Sequence, residues 1–491
     1  MLDRREFLLT TGSAAALALA PRLGAAAAPA GELVNDIHSR LNATRVSSVH
    51  RPACAAQLQE TIARTDPSRP FAIAGGRHAM GGQQFLSDGL LIDTSAMRRV
   101  LALDAESGIV EVEAGIQWPE LIEWLVREQA GRPAQWGIRQ KQTGADRLSI
   151  GGALSANVHG RGLAFPPFIA DVESFTLVDP QGRLRQCSRA ENADLFALAI
   201  GGYGLFGAIA TVRLRLMPRT RLERQVRIAS LREVAAAMDS RAAEGFLFGD
   251  GQFAIDPDSD RFLDACVFSC YRALPDHAEM PAAKRELSDD DWRALLLLAH
   301  ERPDQVFDRY AGYYLTTDGQ RYWSDTHQLA AYIDDYHTAI DRQLRAPIAA
   351  TEMISEVYVP RGALPELMQR LRADFRENGV RLIYGTVRAI EPDAESFLPW
   401  ARERWLCTVM NFHVEHSETG IARARADFGR LFDHALALGG SFFLTYHRWA
   451  DRKQVLRAYP RFPQFLAEKR RFDPKGRFRS DWYDHYAALF A

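Results

Sequence analysis

Ala74-Gly75-Gly76-Arg77-His78-Ala79-Met80-Gly81-Gly82 follows directly on the apolar run Phe71-Ala72-Ile73-Ala74. Residues without a Cβ accept positive φ and let a ligand approach the main chain, so successive N–H groups can curl around an anion. After a strand, such a segment reads as a diphosphate cradle. It is not a Walker loop, because no Gly-Lys-Ser/Thr follows, and it lacks the Gly-x-Gly-x-x-Gly spacing of a Rossmann turn. Alone, such a glycine-rich segment is more often a plain turn.

Two further segments repeat the chemistry downstream. Leu148-Ser149-Ile150-Gly151-Gly152-Ala153-Leu154-Ser155-Ala156-Asn157-Val158-His159-Gly160 is the second. The third, Asp194 to Gly207, contains Gly201-Gly202-Tyr203-Gly204 and ends against the β-branched run Ile209-Ala210-Thr211-Val212. Short strand-like runs at Leu90, Ile109 and Phe175 and an amphipathic stretch from Trp118 to Gln129 complete an α+β pattern over this part of the chain.

Three glycine segments in this order resemble the two-part, PCMH-type FAD-binding domain of the vanillyl-alcohol oxidase superfamily. That group includes alditol and aldonolactone oxidases, cytokinin dehydrogenases, decaprenylphosphoryl-ribose oxidase and the sterol side-chain reductase. The resemblance implies an α+β fold with a two-subdomain FAD-binding domain at 45–220, an α+β substrate (cap) domain with an antiparallel sheet at 221–460, and a C-terminal segment at 461–491 returning to the FAD domain. It implies FAD held at Gly75, Gly76, Arg77, His78, Ala79 and Gly81, with Gly151, Gly152, Ser155, Asn157, His159 and Gly160 along the ribityl and ring path and Ile209 over the adenine side. His78 stands where relatives carry a flavin-linked histidine in a Gly-His-Ser segment. Arg77 and Ala79 depart from that pattern, which leaves open a covalent bond at the flavin 8α-methyl or simple contact with the dimethylbenzene edge.

The second half mixes long helical stretches (Ser288 to Glu301, Leu364 to Asn378, Thr419 to Ala437) with strand-like runs at Met353 to Val359, Tyr384 to Glu391, Met410 to Glu415 and Ser441 to Tyr446. On residue type alone, Arg388 reads as an ion-pair arginine and His413 as a satisfied core histidine. Similarity to the substrate domain of the alditol and aldonolactone oxidases implies instead that Arg388 stabilises negative charge and His413 bonds the reacting hydroxyl. Tyr446 or His447 stands where decaprenylphosphoryl-ribose oxidase has a lysine, and Glu356 and Tyr358 are further pocket candidates. The implied activity is oxidation of a CH–OH group of a sugar, polyol or related alcohol, with oxygen or another acceptor. Carbon–carbon double-bond reduction and a non-catalytic flavin-binding module are the alternatives.

The first thirty residues carry Asp3-Arg4-Arg5-Glu6-Phe7-Leu8-Leu9, then an apolar, alanine-rich stretch. This resembles a bacterial twin-arginine signal peptide, implying a periplasmic or secreted protein that crosses the membrane already folded; the stretch is short for a stable span. At 491 residues and 47% hydrophobic the chain can bury a large core, and a net charge of -2 supplies no basic excess for nucleic acid. Cys266 and Cys270 lack the second pair a zinc site needs, so no metal centre is expected.

Overall fold

The computed structural model describes residues 31–281, 284–330, 333 and 335–491; the twin-arginine segment at 1–30 lies outside the described residues. The first glycine segment leaves a three-stranded parallel sheet in the order Ser48–His50, Leu90–Asp93, Phe71–Ala74. Parallel pairing requires a crossover, and helix Ala55–Arg64 supplies it. All four residues of Leu90–Asp93 are buried, as a central strand covered on both faces requires.

A second sheet is wholly antiparallel, in the order Leu184–Ser188, Val172–Val178, Ala208–Arg215, Ile109–Glu113, Val100–Asp104. Helix Trp118–Glu128 starts with a capping box between Gln117 and Glu120 and a proline in its first turn. Helix Ile150–Ala156 starts where Ser149 Oγ accepts from the Gly152 N–H at 3.3 Å and stops at Asn157, whose φ of 50° turns the chain left-handed.

The second half is built on an eight-stranded antiparallel sheet ordered Arg321–Trp323, Arg221–Ser230, Ala265–Ala273, Phe246–Phe253, Leu382–Ile390, Trp405–Glu415, Ala350–Pro360, Ser441–Phe442. Register decides its two faces. Arg388 stands opposite Cys407, and Asn411 and His413 stand opposite Ile354 and Glu352. Period two therefore puts Arg388, Asn411, His413, Glu352 and Glu356 on one face. The other face carries Phe412, which meets Phe375 and Phe428 edge-on from helices Leu364–Asn378 and Glu418–Ala437 at ring distances of 5.9 and 4.7 Å. Apolar burial against these helices holds the sheet, which frees the polar face for a cavity.

Two sequence expectations change here. Only Ser441–Phe442 of the expected strand to Tyr446 pairs with the sheet. The chain then crosses to the first glycine segment, where the Thr445 carbonyl accepts from the N–H groups of Met80 and Gly81, both at 3.2 Å. Strands Arg221–Ser230, Phe246–Phe253 and Ala265–Ala273 were not foreseen, since charged or glycine positions interrupt their apolar pattern. Near the C-terminus the Phe71 N–H donates to the Arg477 carbonyl at 2.8 Å, and the Arg479 N–H donates to the Phe71 carbonyl at 3.0 Å.

Candidate active site

A cavity of about 790 Å³ runs between the glycine segments and the polar face of the large sheet. Gly75, Gly76, Arg77, His78, Ala79, Gly151, Gly152, Ser155 and Ile209 all line it. Its floor is made of main chain rather than side chains. A Cβ on Gly75 would come within 2.1 Å of Ser149 Oγ, and one on Gly76 within 2.4 Å of the Arg147 carbonyl. Only glycine lets the first two segments approach this closely, and Arg77 takes a φ of 57° to make the bend. A backbone cradle of this kind, continuous with a cavity large enough for a dinucleotide, fits FAD.

Four of the expected cofactor residues stand elsewhere. Gly81 is tied to Thr445 and does not line the cavity. Asn157 is a helix stop whose Nδ2 donates to Asp393 at 2.8 Å, and Gly160 packs on the Lys141 carbonyl. His159 is buried behind the wall, with Nδ1 2.9 Å from the Gly160 carbonyl and Nε2 3.0 Å from Glu356.

His78 is 7% exposed and meets a histidine the sequence did not single out: His38 Nε2 lies 2.7 Å from His78 Nδ1. Burial holds both well below the usual imidazole range, His38 at about 4 despite the opposing Asp36 carboxylate, and the His38 ring lowers His78 further. Both are neutral at pH 7.

At the far side of the cavity, Arg388 is 3% exposed, and its Nε and Nη1 have no hydrogen-bond partner among the described residues. A buried guanidinium without an acceptor is costly, so this one is set to meet an anion or a polar ligand. Nearby, Tyr446 donates to Glu356 Oε1 at 2.6 Å, and Tyr358 donates to Oε2 at 2.9 Å. Burial alone would raise Glu356. The His159 contact, then the Arg388 charge and the Tyr446 hydroxyl, hold it at about 2, so it is an ionised acceptor. Burial and the Glu356 charge push Tyr446 well above its ordinary value, which keeps its O–H on the oxygen. Tyr446 lines the cavity and Glu356 stands behind it.

His413 and His447 are not part of this group. Six residues separate Cys407, opposite Arg388, from His413 along one strand, about 20 Å at the usual rise. His413 sits instead beside Glu352, with its Nδ1 4.0 Å from Oε1. His447 lies in an aromatic slot, stacked on Phe428 at 4.4 Å and Trp449 at 5.0 Å, and burial lowers it to about 3.

Several lining residues escaped the sequence. Gln142 Nε2 lies 3.3 Å from Glu356 and 3.4 Å from the Tyr446 hydroxyl. Arg161 approaches Asp250 at 3.8 Å and lies over the Tyr271 ring at 4.9 Å. Tyr384 accepts from Gln252 at 2.8 Å. Arg161 was within reach, since it follows His159-Gly160 directly. Asp250 and Gln252 lie on an unforeseen strand.

A cavity floored by glycine backbone and walled by a polar sheet face fits a dinucleotide. Comparison with known proteins identifies the dinucleotide: residues 46–188 match the family described as FAD binding domain, and the chain is an FAD-binding flavoprotein. It is 27% identical to the L-gulonolactone oxidase of Mus musculus over 201 residues, covering 40% of this chain and 44% of that protein. It is 29% identical over 233 residues to cytokinin dehydrogenase 7 of Oryza sativa subsp. japonica, covering 44% and 43%. The match thus spans less than half the length of those relatives. An L-gulono-1,4-lactone dehydrogenase of Mycobacterium tuberculosis is 24% identical over 454 residues, 89% of this chain and 95% of that one.

Proposed function

We propose that this chain is an FAD-dependent oxidoreductase acting on the CH–OH group of a sugar, polyol or related alcohol. The observation that carries this reading is the unpartnered, buried Arg388 beside the Tyr446–Glu356 pair, across one cavity from the glycine cradle. The relatives named for gulonolactone oxidation or dehydrogenation support a sugar-derived substrate. In this reading the parallel and five-stranded sheets are the two halves of an FAD-binding domain at 45–220, residues 221–460 form the cap, and 461–491 return to the first sheet.

Bound FAD supplies a two-electron acceptor. The protein's own groups do the rest. The Tyr446 hydroxyl, fixed by donating to ionised Glu356, accepts a hydrogen bond from the substrate hydroxyl and orients it. Fixing the reacting group before reaction lowers the barrier. Arg388 stabilises the negative charge that develops, and the cap sheet excludes water from the cavity.

Anaerobic mixing with a panel of polyols, sugars and aldonolactones should bleach the flavin, and admission of air separates an oxidase from a dehydrogenase. Flavin that no alcohol bleaches but a reductant does, with reoxidation by an alkene, would favour the double-bond reductase. Flavin that no donor reduces would favour the non-catalytic module.

The covalent reading of His78 has its own test. Acid precipitation should leave yellow colour in the pellet, and His78→Ala should move all of it to the supernatant. Free FAD released from wild type would refute the bond and leave FAD binding intact.

Export by the twin-arginine route rests on Arg4-Arg5. Replacing both with Lys keeps charge but not the guanidinium pair, and should strand folded protein in the cytoplasm; an unchanged periplasmic yield would rule the route out. Among the described residues no helix is long and apolar enough to cross a membrane.

A further inference from the structure

Four side chains from four elements meet at a part of the cavity wall well separated from Arg388. Glu352, on strand Ala350–Pro360, is central. Its Oε1 lies 3.0 Å from Nε2 of His300, near the end of helix Asp289–Glu301, and 4.0 Å from Nδ1 of His413 on the neighbouring strand. Its Oε2 lies 2.5 Å from Nδ1 of His337, in the first turn of helix Tyr336–Leu344. The His300 and His413 rings cross at 82° with centroids 5.0 Å apart, and the donor atoms of His300, Glu352 and His413 all lie within 4.8 Å of one another.

Hydrogen bonding accounts for one of these contacts. His300 is aligned to donate to Oε1. Glu352 Oε2, His337 Nδ1 and His413 Nδ1 are buried with no aligned hydrogen-bond partner among the described residues. Buried polar atoms left this way are expensive, and imidazole nitrogens crowded on one carboxylate without aligned N–H groups lack what would make the contact attractive. A cation between them removes both problems, because each ring nitrogen and each carboxylate oxygen can offer it a lone pair.

We propose that His300, His337, Glu352 and His413 bind a divalent transition-metal ion, with Zn2+ the best match. Three imidazoles and one carboxylate suit zinc, whose bonds of about 2.0–2.2 Å place tetrahedral ligand atoms about 3.3 Å apart. The Glu352 oxygens lie 2.5 to 4.0 Å from the three ring nitrogens, on either side of that value, and the donor atoms of His300, Glu352 and His413 lie within 4.8 Å of one another. Glu352 and His337 face the cavity, while His300 and His413 stand behind them. The ion ties two helices that contribute to the cavity wall to two adjacent strands of the large sheet. No short sequence spacing announces such a site, because its ligands are scattered over 113 positions and converge only through strand register and helix docking.

The test uses full-length protein purified without chelator, with metal measured by mass spectrometry and FAD by absorbance on the same sample. About one zinc per chain is expected. After chelator treatment, titration with Co2+ should give the visible bands of a tetrahedral ion, saturating near one equivalent. The His300→Ala/His413→Ala double variant should lose both signals with FAD content retained, and Glu352→Gln should weaken Co2+ binding at least tenfold through loss of the anionic ligand. Wild-type protein with full FAD, under about 0.1 metal per chain and no cobalt bands would overturn the proposal. So would bands of undiminished intensity in the double variant. Protein that binds metal but no FAD would sink the cofactor reading and leave this site standing.

Discussion

Arg388→Ala should slow alcohol-driven reduction of bound FAD by about a hundredfold or more, the usual cost of removing one preorganised charge from a water-excluded site. Arg388 lines the cavity with Nε and Nη1 buried and without hydrogen-bond partners among the described residues, so its neighbours lose no hydrogen bond from those atoms on truncation. FAD content should stay near wild type, and the melting temperature should shift only by what a lost side-chain volume costs. Arg388→Lys should recover part of the rate, because it returns the charge without the planar fork. Tyr446→Phe should slow the same step by breaking the link to Glu356. Arg402, exposed and lying over the Trp405 ring at 5.6 Å, is the control whose replacement leaves the rate alone. Stopped-flow bleaching per bound flavin reads all four variants. A normal rate per flavin in Arg388→Ala, with FAD lost, would make the residue structural.

Acid should destabilise the protein from near pH 6.5, well above the range where carboxylates titrate. Burial lowers His38 to about 4 and His447 to about 3, and holds His78 and His327 well below their ordinary value. These groups are depressed in the folded state, so the unfolded chain binds more protons below pH 6.5. Their stabilising effect is complete above 6.5 and is lost as pH falls toward the folded values. Each costs up to about 1.4 kcal/mol per pH unit in that window. Glu356, held at about 2, adds a separate loss only below its unfolded value near 4.5. Melting temperature should therefore decline steadily from pH 7 to 5. His447→Phe, which suits the slot between Phe428 and Trp449, should make the decline shallower. A flat profile between pH 7 and 5 would contradict the burial of these rings as neutral species.

The cofactor half was legible because its chemistry is local. Gly75, Gly76, Gly151 and Gly152 are needed where two loops nearly touch, and that need is written in consecutive residues. The second half was legible only in part. Arg388 stood out within an apolar strand and does face the cavity. His413 looked equivalent, yet it lies on the neighbouring strand, six residues beyond Cys407, the partner of Arg388, and in a different cluster. Tyr446 was reached through a mistaken strand, since the chain leaves the sheet after Phe442 to bond Met80 and Gly81. Glu352, Asp250 and His38 gave no signal, because what makes them notable is a neighbour tens to hundreds of positions away.

The pairing of Phe71 with the Arg477–Arg479 stretch sets a timetable for synthesis. Phe478 lies beside Phe71 with rings 4.8 Å apart, and the Arg477 guanidinium donates to the carbonyls of Ile62 and Thr65 at 2.8 and 2.9 Å. The strand that leads into the first glycine segment thus keeps an open edge until a segment about four hundred residues later has left the ribosome. At ordinary elongation rates that delay is roughly 20–80 s. During it the nascent first sheet exposes a pairing edge and an apolar flank, so cofactor capture belongs to the finished chain, and a nonsense mutation even a few residues before Arg477 should yield a product unable to hold its flavin.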